Sequence, residues 1–155
     1  LIVAESKGLT IPKEISWATA LDNIMSTFVE PHLIQPTFIF DYPTELSPLA
    51  KRKTENPNLV ERFELFILGS EIANAYSELN DPVDQRIRMN AQALKASSGD
   101  SEIELIDEEF LEALEHGMPP AGGLGIGVDR LVQLFIGEQS IREILLFPSL
   151  RQPQE

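Results

Sequence analysis

The stretch Gly122-Gly123-Leu124-Gly125-Ile126-Gly127-Val128-Asp129-Arg130 constrains this chain more than any other. Glycine alternates with an aliphatic residue at Gly123, Gly125 and Gly127, and period two is the period of a β-strand. One face of the predicted strand has no side chains, while the other carries Leu124, Ile126 and Val128. Glycine weakens a strand, so a run of it means that something must approach the backbone closely. Asp129 is predicted to cap a helix opening with Arg130-Leu131-Val132-Gln133-Leu134-Phe135. Arg130 then sits in the first helical turn, where the dipole disfavours a cation by ~0.3–1 kcal/mol. A cation held there beside a bare strand face makes sense if an anion with a flat body lies on that face.

Familiar glycine motifs do not account for the stretch. The dinucleotide fingerprint G-x-G-x-x-G, started at Gly123, needs Gly or Ala where Val128 stands. A P-loop started at Gly122 reaches Gly127 but then needs Lys and meets Val128. A membrane G-x-x-x-G reading needs an apolar 20-mer, which Asp129 and Arg130 interrupt. The bland alternative is a glycine-rich core strand packed against another backbone.

The totals narrow the classes. At 155 residues the chain is the size of one domain, with 43% hydrophobic and 24% charged residues. It has no cysteine, which excludes disulfides, thiol catalysis and thiolate metal sites. Its two histidines, His32 and His116, leave little for a histidine metal site and are expected at the surface or at caps. No apolar run is long enough to span a membrane, and the first residues do not read as a signal peptide, so the expectation is a soluble protein of a reducing compartment. The net charge of −13 argues against broad binding to nucleic-acid phosphates. Eight acids between Asp100 and Glu115 read as a solvated helix face. Any nucleic-acid contact should be local or supplied by other parts.

Taken in order, residues near 14–30 predict an amphipathic helix through Ile15, Ala18, Leu21, Ile24, Met25 and Phe28, ended by Pro31. Residues 35–41 read as a buried strand. The loop from Asp41 to Pro57 carries Lys51, Arg52 and Lys53, and Ser47-Pro48 can cap a short helical turn. Asp81 and Pro82 predict the cap and first position of a helix reaching about Ser97, with Arg86 and Arg88 solvated. Ser98-Gly99-Asp100 reads as a loop. Asp107 caps a second helix ending at His116, before Gly117. Ser140 to Glu143 has the spacing of a capping box.

Between these helices lies the strongest hairpin signal. Arg62–Leu68 and Glu71–Leu79 are strand-like runs joined by Gly69-Ser70, a type II′ pair. Both runs are apolar at both parities, yet Glu64, Glu71, Asn74 and Glu78 sit inside them. An unpaired buried carboxylate costs several kcal/mol, so such groups persist when a cation or metal meets them. With that turn Leu68 opposes Glu71, Glu64 opposes Ala75, and Glu64 and Glu71 share a face. Two carboxylates on neighbouring strands suit a hard divalent ion such as Mg²⁺ together with phosphates. Asn74, Tyr76 and Glu78 fall on the other parity. For all five to line one pocket, the second strand needs a bulge or strong twist near Ala73-Asn74; a regular ladder from 71 to 78 would count against one pocket.

Several segments together resemble a known family. Gly125-Ile-Gly-Val-Asp-Arg, followed by Ser140-Ile-Arg-Glu-Ile-Leu-Leu-Phe-Pro, is similar to motif 3 of class II aminoacyl-tRNA synthetases. Pro36-Thr-Phe-Ile-Phe-Asp-Tyr-Pro, Ser47-Pro-Leu-Ala-Lys, Arg62-Phe-Glu-Leu-Phe, Glu71-Ile-Ala-Asn-Ala-Tyr-Ser-Glu-Leu-Asn-Asp and Ala113-Leu-Glu-His-Gly-Met-Pro-Pro resemble the class II lysyl-tRNA synthetases. The resemblance runs almost continuously from residue 30 to residue 150. It implies an α+β fold, an antiparallel sheet flanked by helices, forming part of a class II catalytic domain. It also implies an enzyme that joins lysine to ATP as lysyl-adenylate and passes the lysyl group to tRNA(Lys). Carried over, Arg130 is the catalytic arginine beside the ATP γ-phosphate, Gly125 and Gly127 leave room for adenosine, and Glu64 and Glu71 hold Mg²⁺, Glu71 also contacting ATP. Asn74 and Tyr76 line the lysine pocket, and Glu78 pairs with the substrate ε-ammonium.

The same resemblance implies that residues 1–155 are the C-terminal portion of the catalytic domain, without motif 1, motif 2 or the anticodon-binding domain. The expected parent is a homodimer of the cytoplasm or an organelle, and the 155 residues alone are expected to be inactive. Other readings are a paralogue that lysylates a protein, an aspartyl or asparaginyl relative, and a non-catalytic module derived from a synthetase. The acidic amino-acid enzymes would need a cation where Glu78 stands.

Overall fold

The computed structural model describes Gly8, residues 16–95 and residues 106–148. The expectations for residues 9–15, the loop 98–100, the end of the helix near 97 and the acids at 100–104 lie outside the described residues.

Helix α1 (Trp17–Phe28) begins where the Ser16 hydroxyl accepts a 3.1 Å hydrogen bond from the Thr19 amide, a normal cap for the orphan amides of a first turn. It buries Ala18 and Ala20 and ends at Val29, whose amide donates to Met25 O. Pro31 lies just past it, in a 3₁₀ turn, Glu30–His32. Four strands then form one antiparallel sheet in the order β1 (Thr37–Phe40), β2 (Arg62–Ile67), β3 (Ser70–Ser77), β4 (Gly122–Ile126). Helices α2 (Pro82–Lys95) and α3 (Glu108–Glu115) lie between β3 and β4 in the chain, and α4 (Val128–Ile136) follows β4. The α+β class holds, with an antiparallel sheet and flanking helices.

Most caps are where local chemistry puts them. Asp81 Oδ1 accepts from the amides of Val83 and Asp84 at 2.9 and 3.2 Å, and Asp107 accepts from Phe110 at 2.9 Å. His116 sits at the end of α3 with its ring Nδ1 2.8 Å from Glu112 O. Asp129 is a correction. The cap of α4 is Gly127, so Asp129 lies inside the first turn, where its charge suits the dipole. Arg130 remains in that turn. Ser47 closes a 3₁₀ turn, Thr44–Leu46, and its carbonyl also opens the next single turn, accepting from Ala50 N at 3.2 Å with Pro48 in first position. Ser140 caps a 3₁₀ turn, Ile141–Glu143, through the Arg142 amide.

The strand at 37–40 is not buried as expected. It is the edge of the sheet, and Phe38 and Phe40 are 52% and 61% exposed. Their rings meet Phe63 at centroid distances of 5.3 and 5.7 Å, a cluster on one face of the sheet. Leu124 and Ile126 extend that face across β3, because they pair with Ala75 and Ala73, and Phe63 pairs with Ala75.

The basic loop is tied down residue by residue. Lys51, Arg52 and Lys53 bond to Asn80, Asp84 and Asp41, respectively. Arg88, expected in solvent, is buried at 6% exposure. It donates to Ala50 O at 2.7 Å, Ser47 O at 3.2 Å and Asp84 Oδ2 at 2.6 Å. Asp84 also takes both Arg52 Nε and NH2, so one carboxylate clamps α2 to the loop. Burial pushes the Asp84 pKa up, but the hydrogen bonds and charges of Arg88 and Arg52 outweigh it and bring it down to about 2.

Candidate active site

The site is assembled by the turn between β2 and β3. Ile67 pairs with Ser70, so the turn residues are Leu68 and Gly69, not Gly69 and Ser70. Both have positive φ, 52° and 74°, the signature of a type I′ turn, whose twist matches the flanking strands. Phe66 therefore opposes Glu71, and beyond a register shift Glu64 opposes Asn74, not Ala75. The register shifts between Leu65 and Phe66, because Leu65 pairs with Ala73 and leaves Ile72 as the extra residue. The irregularity required for one pocket exists, one residue before the Ala73-Asn74 position expected for it.

That bulge decides which side chains meet. Cross-strand partners share a face, so Arg62 with Tyr76, Glu64 with Asn74 and, across the bulge, Phe66 with Glu71 all project to one side. Without Ile72 out of step, Glu71 would point away from Asn74. On β4, Gly123 pairs with Tyr76 and Gly125 with Asn74, so the bare glycine positions border this same face. Gly123 has a further reason to lack a side chain, since a Cβ there would collide with Glu78 Oε1. Glu78 lies just past β3 and is held by its own backbone, its amide donating to Ala121 O at 2.9 Å. A Cβ on Gly127 would touch the aliphatic stem of Arg130 at 3.4 Å.

The charges on this face are partly paired. Arg130 NH1 donates to Glu71 O at 2.7 Å and lies 3.3 Å from Glu71 Oε2. Arg62 forms an ion pair with Glu64, and both side chains are almost enclosed, at 15% and 13% exposure. The Tyr42 hydroxyl donates to Glu64 Oε2 at 2.6 Å, and burial together with that bond raises the phenol pKa well above its ordinary value. Burial, then repulsion from Asp22, Glu64 and Glu71, raises the Glu30 carboxyl beside them. Of Glu64, Glu71 and Glu78, only Glu78 has no cation paired with it among the described residues. A cavity of about 200 Å³ opens beside Glu64, lined by Leu21, Met25, Glu30, Ile39 and Tyr42.

Residues 10–151 match the family described as tRNA synthetases class II (D, K and N). The chain belongs to that family. Among its class II relatives, the lysine–tRNA ligase of Moorella thermoacetica is 55% identical over 152 residues, covering 98% of this chain and 31% of that protein. The lysine–tRNA ligase of Pelotomaculum thermopropionicum is 57% identical over 148 residues, covering 96% of this chain and 29% of that protein. That of Lactiplantibacillus plantarum is 60% identical over 128 residues, covering 83% and 26%. The chain thus spans about three tenths of the length of the first two of these relatives. No helix among the described residues is long and apolar enough to cross a membrane.

In this class II chain, Mg²⁺ can be tested against the residues themselves. No group of three or more His, Cys, Asp or Glu that could hold a metal occurs among the described residues. Mg²⁺ associated with a polyphosphate needs only one or two protein carboxylates, and Glu64 and Glu71 now lie on one face. The donor set fits a metal carried in with phosphates better than a resident ion. Two residues that meet this face were given no role by the sequence reading, Arg62 and Tyr42, and Gly123 was read only as part of the bare strand. Arg62 left a signal, standing two positions before Glu64 on one strand and so on the same face with opposite charge. Tyr42 lies in a loop whose path no local pattern specifies.

Proposed function

We propose that this chain is the motif 3 portion of a lysyl-tRNA synthetase catalytic domain, and that the enzyme containing it activates lysine with ATP and charges tRNA(Lys). The observation that carries the reading is the bulge at Ile72, which gathers Glu64, Glu71, Asn74 and Tyr76 beside the glycine strand, with Glu78 as the one of its three glutamates that has no cation paired with it among the described residues. An ammonium substrate is the natural partner for such a group, and a buried charge pair rejects substrates that lack the amine.

The chemistry asks for alignment and charge neutralisation more than for a base. A lysine carboxylate oxygen attacks the α-phosphorus of ATP, the bond from that phosphorus to the bridging oxygen breaks, and pyrophosphate leaves. A ribose hydroxyl of tRNA(Lys) then attacks the lysyl carbonyl and releases AMP. Arg130 meets the γ-phosphate, exchanging its contact with Glu71 for the stronger one with phosphate. Adenosine lies over Gly125 and Gly127. Glu78 takes the ε-ammonium, while Asn74 and Tyr76 orient the rest of the lysine. Glu71 and Glu64 would hold Mg²⁺ brought in with the phosphates, and it would neutralise triphosphate charge there.

The remaining parts of the active site, including the grip on the α-phosphate and the recognition of tRNA, belong to the other seven tenths of the length seen in the relatives. Residues 1–155 then form the C-terminal portion of the catalytic domain of a cytoplasmic homodimer. Lysine-dependent ATP–pyrophosphate exchange by the full-length enzyme tests the first step, and charging of tRNA(Lys) distinguishes it from a paralogue that lysylates a protein. Exchange that responds to aspartate or asparagine instead of lysine would falsify the reading.

A further inference from the structure

We propose that Arg62 is a positioning residue for lysine activation, setting the amide orientation of Asn74 and the rotamer of Glu64 from one guanidinium. The inference rests on the reading above of Asn74 and Glu64 as site residues.

Arg62 Nε donates to Asn74 Oδ1 at 3.1 Å. Its NH1 donates to Ser47 Oγ at 2.8 Å and to Leu46 O at 3.2 Å, and its NH2 donates to Glu64 Oε1. The guanidinium carbon lies 4.6 Å from the centre of the Tyr42 ring, within cation–π range. Four of the five N–H donors of the fork are thereby used, and the side chain is 15% exposed.

The consequence for Asn74 follows from the chemistry of the donor. A guanidinium has no acceptor, so the Asn74 amide can only meet it with its oxygen. The amide nitrogen and its two hydrogens are left for the site. Asn74 therefore turns its nitrogen end away from Arg62, although a free amide could turn either end toward a ligand. Glu64 is held at both oxygens, Oε1 by Arg62 and Oε2 by the Tyr42 hydroxyl at 2.6 Å. Glu64 and Asn74 are direct cross-strand partners, so one cation sets both ends of that pair. Ser47 and Leu46 anchor the cation in turn. A buried ion pair adds little net stability over an apolar pair, which leaves orientation as what the network supplies.

The test compares Arg62→Gln, Arg62→Lys, Asn74→Ala and the double variant Arg62→Gln/Asn74→Ala in the full-length enzyme. Lysine-dependent exchange is read as KM and kcat, with thermal melting alongside. Arg62→Gln is expected to raise the lysine KM about 10–100-fold, the usual cost of losing a supporting partner of a site residue. Arg62→Lys should recover part of the loss, since one ammonium can still meet Asn74 Oδ1. The double variant should have a lysine KM no worse than that of Asn74→Ala alone, because Arg62 reaches lysine through Asn74, its hold on Glu64 falling on the ATP KM instead. An unchanged KM in Arg62→Gln, or losses that multiply in the double variant, would overturn the proposal. If the unaltered enzyme shows no lysine-dependent exchange, the function reading fails instead. The positioning is then read in the 155-residue protein by NMR of the Asn74 side-chain amide. A resonance shifted by Arg62→Lys and by Arg62→Gln supports it, and a resonance indifferent to both overturns it.

Discussion

The carboxylate of Glu78 occupies the space that a Cβ on Gly123 would fill. On the proposed function, the first alternating glycine of the motif would serve the amino-acid side of the site, whereas Gly125, facing only the Asn74 backbone at 3.7 Å, and Gly127 would leave the nucleotide side open. Gly123 has no positive φ, so alanine fits its backbone without strain. Gly123→Ala is expected to displace the mobile end of Glu78 and leave folding within about 1 kcal/mol of the original. In the full-length enzyme the lysine KM should rise on the order of 10-fold or more with the ATP KM nearly unchanged. Equal rises for both substrates would assign Gly123 to the nucleotide.

Glu78→Gln removes the charge and keeps the shape. Loss of one partner from an enclosed charge pair costs about 3–5 kcal/mol, so lysine activation should fall by more than about 100-fold. Pyrophosphate exchange over a range of lysine concentrations measures this, and intact activation would remove Glu78 from the lysine pocket.

On the proposed function, Arg130→Ala deletes the cation assigned to the phosphates, for which losses of about 10²–10³ in rate are typical. Its contact with Glu71 is half-exposed, at 51% and 37% exposure, so stability should change by less than about 1 kcal/mol. Exchange rates and melting of the same sample separate the two effects. A large melting shift with modest kinetic loss would make Arg130 a structural residue.

Asp84 governs acid stability. Its carboxyl titrates at about 2 in the folded chain against 3.8 unperturbed. A lowered folded pKa gives stability that is present above the unfolded value and is lost as pH falls from near 4 toward 2, here about 1–2 kcal/mol after screening at a partly exposed group. Asp84→Asn leaves the buried Arg88 without its counter-charge and should cost about 2–4 kcal/mol at neutral pH. It should also flatten that acid limb in urea titrations at several pH values. A variant that keeps the full acid limb would assign it to another carboxyl.

Leu68 holds φ at 52°, a left-handed conformation that costs a non-glycine residue about 1 kcal/mol, and its side chain is 60% exposed. Leu68→Asn supplies the residue a type I′ turn prefers and should stabilise the 155-residue protein by roughly 0.5–1 kcal/mol. Urea melts of the two proteins check this. No gain would mean that Leu68 makes contacts offsetting its strain.

Leu68 also shows where reading the chain stops working. Local chemistry favours Gly69-Ser70 as the turn, because glycine takes positive φ and leucine resists it. The chain does otherwise because the turn is docked. Leu68 N donates to Ile34 O and Gly69 N to Leu33 O, both at 3.1 Å, and a Cβ on Gly69 would lie 3.4 Å from Glu30 O and Pro31 Cα. Two backbone bonds outweigh the strain of one leucine. Those bonds come from a segment more than thirty residues away, which no local pattern reports. Arg88 was misplaced for a similar reason, since its helical position is polar by spacing while its partners lie on the loop at 47–50.

Local signals were enough for the order of strands and helices, the caps at Asp81 and Asp107, the bare face of the glycine strand and the need for a bulge. Each depends on neighbours within a few residues, where backbone geometry and side-chain chemistry act directly. Only the tertiary structure decided that the bulge falls at Ile72, that Glu64 faces Asn74, that Arg62 joins them, and that Gly123 makes room for Glu78. Those outcomes turn on register and on contacts between distant segments. A shift of one residue reverses every side chain of a strand, and nothing local penalises it.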